Sequence, residues 1–292
     1  MIHAARRRMP FRRLVPVLSL ALAPSLCGAA EEKARPNDAQ LAREFNDPLT
    51  VVPQLAVQNA YSPAVFGTDA HLNRLIVRPL FPRIRRYRLF PLVQLVRPSF
   101  SLVTVPTGKG GETRTEFGDI QLFDLAILPW PDRASGFIMG FGPVFVFPTA
   151  THDSAGQGAW QIGPAFGAIY KGVPGLLVGG LVQNPISFAY TRSSARSVST
   201  LLVQPVALLH LWRGLYVKTA DATWSFGWHD GAPRTVPLGL GFGYVIPRKD
   251  SPPLNFFVTG EWMAYRENAP VAAQTTIRLG FTVAFPELLR PG

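Results

Sequence analysis

From residue 236 to 246 the chain reads VPLGLGFGYVI. Val236, Leu238, Leu240, Phe242, Tyr244 and Ile246 form one set, and Pro237, Gly239, Gly241 and Gly243 lie between them. Alternation with period two marks a β-strand, whose successive side chains point to opposite faces. The pattern recurs. Trp160, Ile162, Pro164, Phe166, Ala168 and Tyr170 alternate with Gln161, Gly163, Ala165 and Gly167; Met139, Phe141, Pro143, Phe145 and Phe147 alternate with Gly140, Gly142, Val144 and Val146. A sheet face turned to water carries Lys, Glu and Thr rather than glycine, so a soluble sheet fits poorly. A wall with an apolar outside and an interior of small and polar residues fits well, and that is the pattern of a closed barrel in lipid. The last run is the clearest. Thr275, Ile277, Leu279, Phe281, Val283 and Phe285 oppose Thr276, Arg278, Gly280, Thr282 and Ala284.

Twelve such runs are expected, at about 51–60, 72–82, 90–104, 118–129, 136–148, 159–170, 174–189, 198–210, 214–227, 235–246, 254–266 and 273–285. The fold class is therefore all-β: a transmembrane antiparallel β-barrel of about twelve strands after a short helical or disordered N-terminal segment. The connections 61–71, 105–117, 149–158, 190–197, 228–234 and 267–272 are polar and mostly longer, whereas Lys171–Val173 and Trp212-Arg213 are tight. Short periplasmic turns and longer external loops are the asymmetry of outer-membrane barrels, although Arg83–Leu89 is long for the short side. Pro79, Pro98, Pro143, Pro164 and Pro205 fall inside the runs, where each removes a ladder donor.

The N-terminus has a separate role. Arg6, Arg7, Arg8, Arg12 and Arg13 precede the apolar stretch Leu14–Leu26, followed by Gly28, Ala29 and Ala30. A basic region, a short apolar region and small residues make a secretory signal peptide over 1–30, cleaved near Ala30. Cys27 as an acylated lipoprotein cysteine is the rival reading, with Pro24 and Leu26 poorly placed before it. Beyond the leader, residues 31–50 are polar and acid-rich, with a short helix expected from Asp38 to Phe45. This segment is either a periplasmic tail or a plug whose Gln40–Phe45 stretch enters the lumen. Residues 51–285 are the barrel and 286–292 a C-terminal tail.

Composition narrows the class further. Charged residues make up only 16% of the 292 and hydrophobic ones 47%, too apolar for disorder. The single Cys excludes a disulfide scaffold. Of 29 Lys and Arg, five fall in the leader; the rest are dispersed without the basic stripe and stacking aromatics of a nucleic-acid binder, so no nucleic-acid partner is expected.

In order, the blocks NDPLTVVPQLAVQNAY, FGDIQLFDLAILPWP, GFGPVFVFPTATHDSAGQGAWQIGPAFGAIY, LVQNPISF, LLVQPVALLHL, TVPLGLGFGYVI and IRLGFTVAF cover about 240 residues from Asn46 to Phe285. They resemble the outer-membrane proteins named after the meta-pathway of phenol degradation. The GPVFVFPTAT…G…AWQIGPA block is the most specific part. The resemblance implies an outer-membrane β-barrel of the bacterial cell that passes small, often aromatic, molecules, and it offers no catalytic motif. The chain departs from barrels that end on the last strand's aromatic residue, because seven residues follow Phe285.

Pore chemistry resides in lumen-facing polar residues. Parity nominates Arg74, Arg78, Arg97, Gln161, Gln183, Gln204, Asp221, Glu261 and Arg278, with Ser99, Ser101 and Thr259 beside them. Asp124 joins them on the argument that a carboxylate at mid-membrane is costly, which also turns Ile120 and Leu122 inward. These charges either set selectivity or pair as struts. Trp160, Tyr170 and Phe285 are candidate interface aromatics. Arg83, Arg85, Arg86 and Arg88 form a turn cluster suited to anionic headgroups. His71, His152, His210 and His229 lack metal-ligand spacing, so no metal and no cofactor is expected. A Ser199 or Ser225 site with His210 has no motif behind it, and no catalytic residue is assigned. The expected function is passive passage of small organic solutes, hydrophobic or aromatic. The alternatives are a closed barrel with a structural role and a lipid-modifying barrel enzyme. Expected partners are outer-membrane lipids, the solute and the barrel-assembly machinery.

Overall fold

The computed structural model describes residues 36–83, 92–108, 111–128, 136–248 and 251–285. The expected leader with Cys27, the arginines at 85, 86 and 88, and the tail after Phe285 lie outside these residues. One helix, α1 (Pro36–Asn46), comes first. Fifteen β-segments follow: β1 (Gln54–Val65), β2 (Leu72–Arg83), β3 (Val93–Pro106), β4 (Thr113–Phe117), β5 (Ile120–Ile127), β6 (Phe137–Phe147), β7 (Ala159–Tyr170), β8 (Leu176–Gln183), β9 (Ile186–Tyr190), β10 (Thr200–Trp212), β11 (Leu215–Thr219), β12 (Trp224–Gly227), β13 (Arg234–Ile246), β14 (Leu254–Glu267) and β15 (Ala273–Ala284).

Three pairs of segments each make one stave. β4 and β5 both pair with β3, β8 and β9 both pair with β7, and β11 and β12 both pair with β10 and β13. The result is a closed ring of twelve antiparallel staves. It closes through β8 on β10, and at the seam where β1 meets β15 with Gln54 opposite Ala284. Closure pairs the staves around the ring, and β4 and β9, toward the loops, each keep a single strand partner, β3 and β7.

The expected strands are therefore present, with two corrections. β1 runs on to Val65, and the presumed loop 105–117 contains β4, which extends the β3 hairpin with Val103 opposite Glu116. Both extensions project at the loop end, where polar residues in a strand pattern read as loop.

The prolines sit where the ladders are interrupted. The β2–β3 register skips from Val77↔Phe100 to Phe81↔Val96, which places Pro79 opposite Pro98. The β5–β6 ladder skips Asp124 and Leu125, opposite Pro143. Pro143 is itself paired with Pro164, and the break between β8 and β9 at Asn184-Pro185 falls beside Pro164, whose carbonyl accepts from the Asn184 N–H at 2.9 Å. Shifts at Tyr61/Ala64 and Val236/Pro237 absorb Pro63 and Pro237. A missing donor at a bulge or opposite a second proline strands fewer acceptors than one inside a regular ladder.

The outside of the ring is apolar. Phe81, Phe100, Phe141, Phe166, Leu240, Phe242, Val258, Ile277 and Leu279 are all exposed. Aromatics stand at both ends of this belt: Tyr61, Trp160, Tyr190 and Tyr265 toward the loops, and Tyr170, Trp212 and Tyr244 toward the short turns. Trp160 and Tyr170 mark the two ends of one strand, β7, as expected. Phe285 follows the last strand directly, its N–H bonded to the Pro53 carbonyl.

The glycines between these apolar residues face inward, yet several face packing rather than open space. Around the wall runs a register row: Tyr216, Gly243, Phe257, Gly280 and Gln58. A Cβ at Gly243 would lie 2.1 Å from the Tyr216 ring, and one at Gly280 would lie 2.0 Å from Phe257. Each ring lies over a neighbouring glycine, an arrangement that supports strand glycines and pins the register.

Candidate functional site

The lumen is plugged at its turn end. Helix α1 and the 47–50 link bury Ala42, Phe45 and Leu49 inside the ring against Leu80, Leu95, Leu125, Ile169, Leu177 and Val245. The described part of the N-terminal segment, residues 36–50, thus packs inside the ring. The helix runs slightly beyond the expected Asp38–Phe45 at both ends. Leu49 sits on inward glycines: a Cβ at Gly167 would meet it at 2.8 Å and one at Gly140 at 3.2 Å. Part of the glycine face is thus the socket of the plug.

Polar contacts fix the helix at its C-terminal end. Lys171, in the β7–β8 turn, donates to Asp47 at 2.7 Å and Glu44 at 3.1 Å. Arg43 donates to the Lys171 carbonyl at 2.9 Å. Lys218 donates to Asn46 Oδ1 and to Asp221, each at 2.9 Å. Cations at a helix C-terminus also meet the favourable end of its dipole.

The pH response of this seat follows from its two ends. Burial pushes the Asp47 carboxyl above its ordinary range, further than Lys171 pulls it down. Burial alone would lower Lys171, but Asp47 and Glu44 more than offset it and hold the ammonium above the ordinary lysine value of 10.5. The Lys171 contribution to docking is full below 10.5 and is lost as pH rises through the docked value. The Asp47 shift has the opposite sense: it costs docking above 3.8, and acid relieves that cost. The pair therefore predicts alkaline release and no acid release. A cysteine placed at Ala42 should stay protected from a thiol reagent through the neutral and mildly acid range and react only above about pH 10.5. Protection that fails on acidification would contradict this account.

Among the described residues, cavities open in the lumen above the plug. One of about 80 Å³ lies against Phe45, Asn46 and Asp47. The next, about 290 Å³, is bounded by Arg74, Arg78, Arg97, Gln121, Phe123 and Gln204 among others. The third, about 310 Å³, reaches toward the loops past Arg74, Arg78, Asp221, Glu261 and Arg278. Arg78 lines all three. The structure brings together eight of the ten expected lumen residues: Arg74, Arg78, Arg97, Gln183, Gln204, Asp221, Glu261 and Arg278. Arg278 Nε donates to Glu261 at 2.9 Å. Gln121 donates to Gln183 at 2.9 Å across the two staves between them, so the wall there is sharply curved.

Two expected residues stand elsewhere. Gln161 faces inward but is only 2% exposed and bonds to Gln157 at the loop end, away from the cavities. Asp124 lies on the other face. Arg97 is opposite Phe123 in register and stands 4.9 Å over its ring, which makes Gln121, Phe123 and Leu125 the inward set. Asp124 shares the outward face with Val96 opposite it, as does Leu122. The carboxylate is half-buried where the ladder to β6 is interrupted, rather than set on a regular lipid-facing stretch.

Lys218, Tyr216 and Asn255 were not anticipated. Even positions of β11 face inward, whereas Asp221, Thr223 and Ser225 face inward on odd positions. A one-residue bulge between Thr219 and Trp224 switches the parity, so a single period across 214–227 could not find both sets. The considered serine–histidine contact does not form. Ser225 is opposite Leu202, eight residues along β10 from His210, roughly 26 Å at strand rise, and Ser199 precedes that strand. Among the described residues, no group of three His, Cys, Asp or Glu is placed to hold a metal ion.

The closed ring, outward apolar belt and charged lumen define the fold as an outer-membrane-type barrel. No family model matches the chain, and no curated protein matches it. Among solved structures, it is similar to the COG4313 outer membrane channel from Pseudomonas putida F1, with a TM-score of 0.56 and 14% identity over 82% of this chain and 98% of that one. It is more distantly similar to the KdgM porin in complex with disordered oligogalacturonate, with a TM-score of 0.45 and 9% identity over 80% of this chain and 99% of that one. These likenesses are of fold.

Proposed function

We propose that this chain is a channel of the bacterial outer membrane that passes small organic solutes, hydrophobic or aromatic, by passive diffusion. One observation carries the reading: a hydrogen-bonded wall with an apolar belt outside encloses polar cavities that continue from the loop end to the plug. A belt of that extent is not stable in water and matches the lipid-facing band of a membrane barrel. The fold shared with a solved outer membrane channel supports the same conclusion. The block-by-block resemblance to the phenol meta-pathway proteins supplies the solute class. In this reading the signal peptide exports the chain, assembly machinery closes the barrel in the membrane, and no chemical step is catalysed.

A second reading, a closed barrel with a structural role, is favoured by one feature, the seated plug. Planar-bilayer recording separates the two. Discrete conductance steps that phenol or benzoate reduces are expected. Folded protein that gives no step, with or without residues 31–50, would overturn the channel reading.

A further inference from the structure

Three carboxylates line the cavities above the plug, and each is already held by a cation. Asp47 is paired with Lys171 at 2.7 Å, Asp221 with Lys218 at 2.9 Å and Glu261 with Arg278 at 2.9 Å. Three guanidiniums remain. Arg74, Arg78 and Arg97 bound the 290 Å³ cavity from two adjacent strands, β2 and β3, and none forms an ion pair or hydrogen bond with a described residue. The Nε of Arg97 is buried and lacks any hydrogen-bond partner. Arg74 is exposed to the lumen and Arg78 and Arg97 are half-buried, so three like charges around one cavity repel one another and draw an anion. A guanidinium presents a planar fork of donors that fits a carboxylate at two points. The cavity also has apolar wall, the Phe123 ring under Arg97 and Leu202 on β10. Its volume is close to the lower end of small-molecule sites, roughly 300 Å³.

We propose that Arg74, Arg78 and Arg97 form a binding station for the carboxylate of a small organic acid, with Phe123 and Leu202 receiving its apolar body; a one-ring aromatic carboxylate is the solute class that fits. The proposal rests on the channel reading and sharpens it from small organic solutes to organic anions. The solute reaches the station from the loop end through the adjoining 310 Å³ cavity, which shares Arg74 and Arg78. Arg78 is the pivotal residue, because it lines the station and both cavities beside it. A neutral ring such as benzyl alcohol meets the same apolar wall but leaves the three charges unmatched, so it binds more weakly.

The test is equilibrium binding of benzoate and benzyl alcohol to the refolded full-length mature chain in detergent, read by calorimetry. Benzoate is expected to bind at least tenfold more tightly than benzyl alcohol. Arg78→Gln and Arg97→Gln are each expected to weaken benzoate about tenfold, while Arg234→Gln, at the exposed pair with Glu267, leaves it unchanged. Heat-shifted migration on gels verifies folding. If Arg78→Gln fails to fold, Arg78→Lys keeps the charge, loses the two-point fork and is expected to weaken benzoate severalfold. Equal binding of acid and alcohol overturns the proposal, as does benzoate affinity indifferent to both arginine variants. Because binding is read without a membrane, a silent bilayer recording removes the channel reading and leaves this result standing. Conductance without benzoate preference does the reverse.

Discussion

Removing residues 31–50 is expected to turn a barrel of little steady conductance into one that shows discrete, long-lived steps. The deleted segment includes the helix and link residues Ala42, Phe45 and Leu49 that fill the turn end. Phe45 and Leu49 are 8% and 1% exposed in the lumen, and burying each contributes roughly 1.5–3 kcal/mol. The Lys171–Asp47 pair adds a lock whose failure is asymmetric. Lys171→Ala leaves Asp47 and Glu44 without their cation, and uncovering one member of a buried pair costs about 3–5 kcal/mol. That is enough to shift docking by more than about a hundredfold, at about 1.4 kcal/mol per decade. The point variant should therefore approach the deletion in open time while retaining the helix. Two traces indistinguishable from the full-length barrel would show that the helix does not limit passage.

The second large effect concerns the wall. Leu279→Arg should destabilise the barrel by about 2–4 kcal/mol, the cost of a cation at the lipid midplane. Leu279 lies near the middle of β15 and is 57% exposed on the outward face. Its neighbour in sequence is already an arginine. Arg278 is tolerated because it points the other way and meets Glu261 and Gln58. Denaturant titration of folding into lipid vesicles measures the difference. A Leu279→Arg barrel as stable as the parent would mean that this face does not meet lipid.

That pair of neighbours also shows what the sequence could disclose. Where a strand is regular, parity alone assigns both faces: Ile277 and Leu279 go out and Arg278 goes in. Strand number, closure and eight of ten lumen residues follow from the same rule. It fails where the backbone changes phase. The bulge after Thr219 hid Lys218, and the proline-broken ladder at Asp124 defeated an argument from the energetic cost of an outward carboxylate. The glycines were legible as inward but not as occupied. Only tertiary packing shows that Leu49 lies on Gly140 and Gly167, or that Tyr216 and Phe257 lie over Gly243 and Gly280. The seat of the plug was equally hidden, because Lys171 and Asp47 are 124 residues apart.

The link between the plug and the wall is short. Asn46 ends the helix and Gln54 begins the first strand, with turns at Asp47 and Thr50 holding the chain between them. Fully extended, those few residues reach roughly 25 Å. A released helix cannot diffuse away; it remains near its socket at an effective concentration in the millimolar range. Reseating is then a first-order event, independent of how much protein is present. Spontaneous release produces brief flickers, and a lasting open state requires that the socket be filled by something else or that its lock be broken.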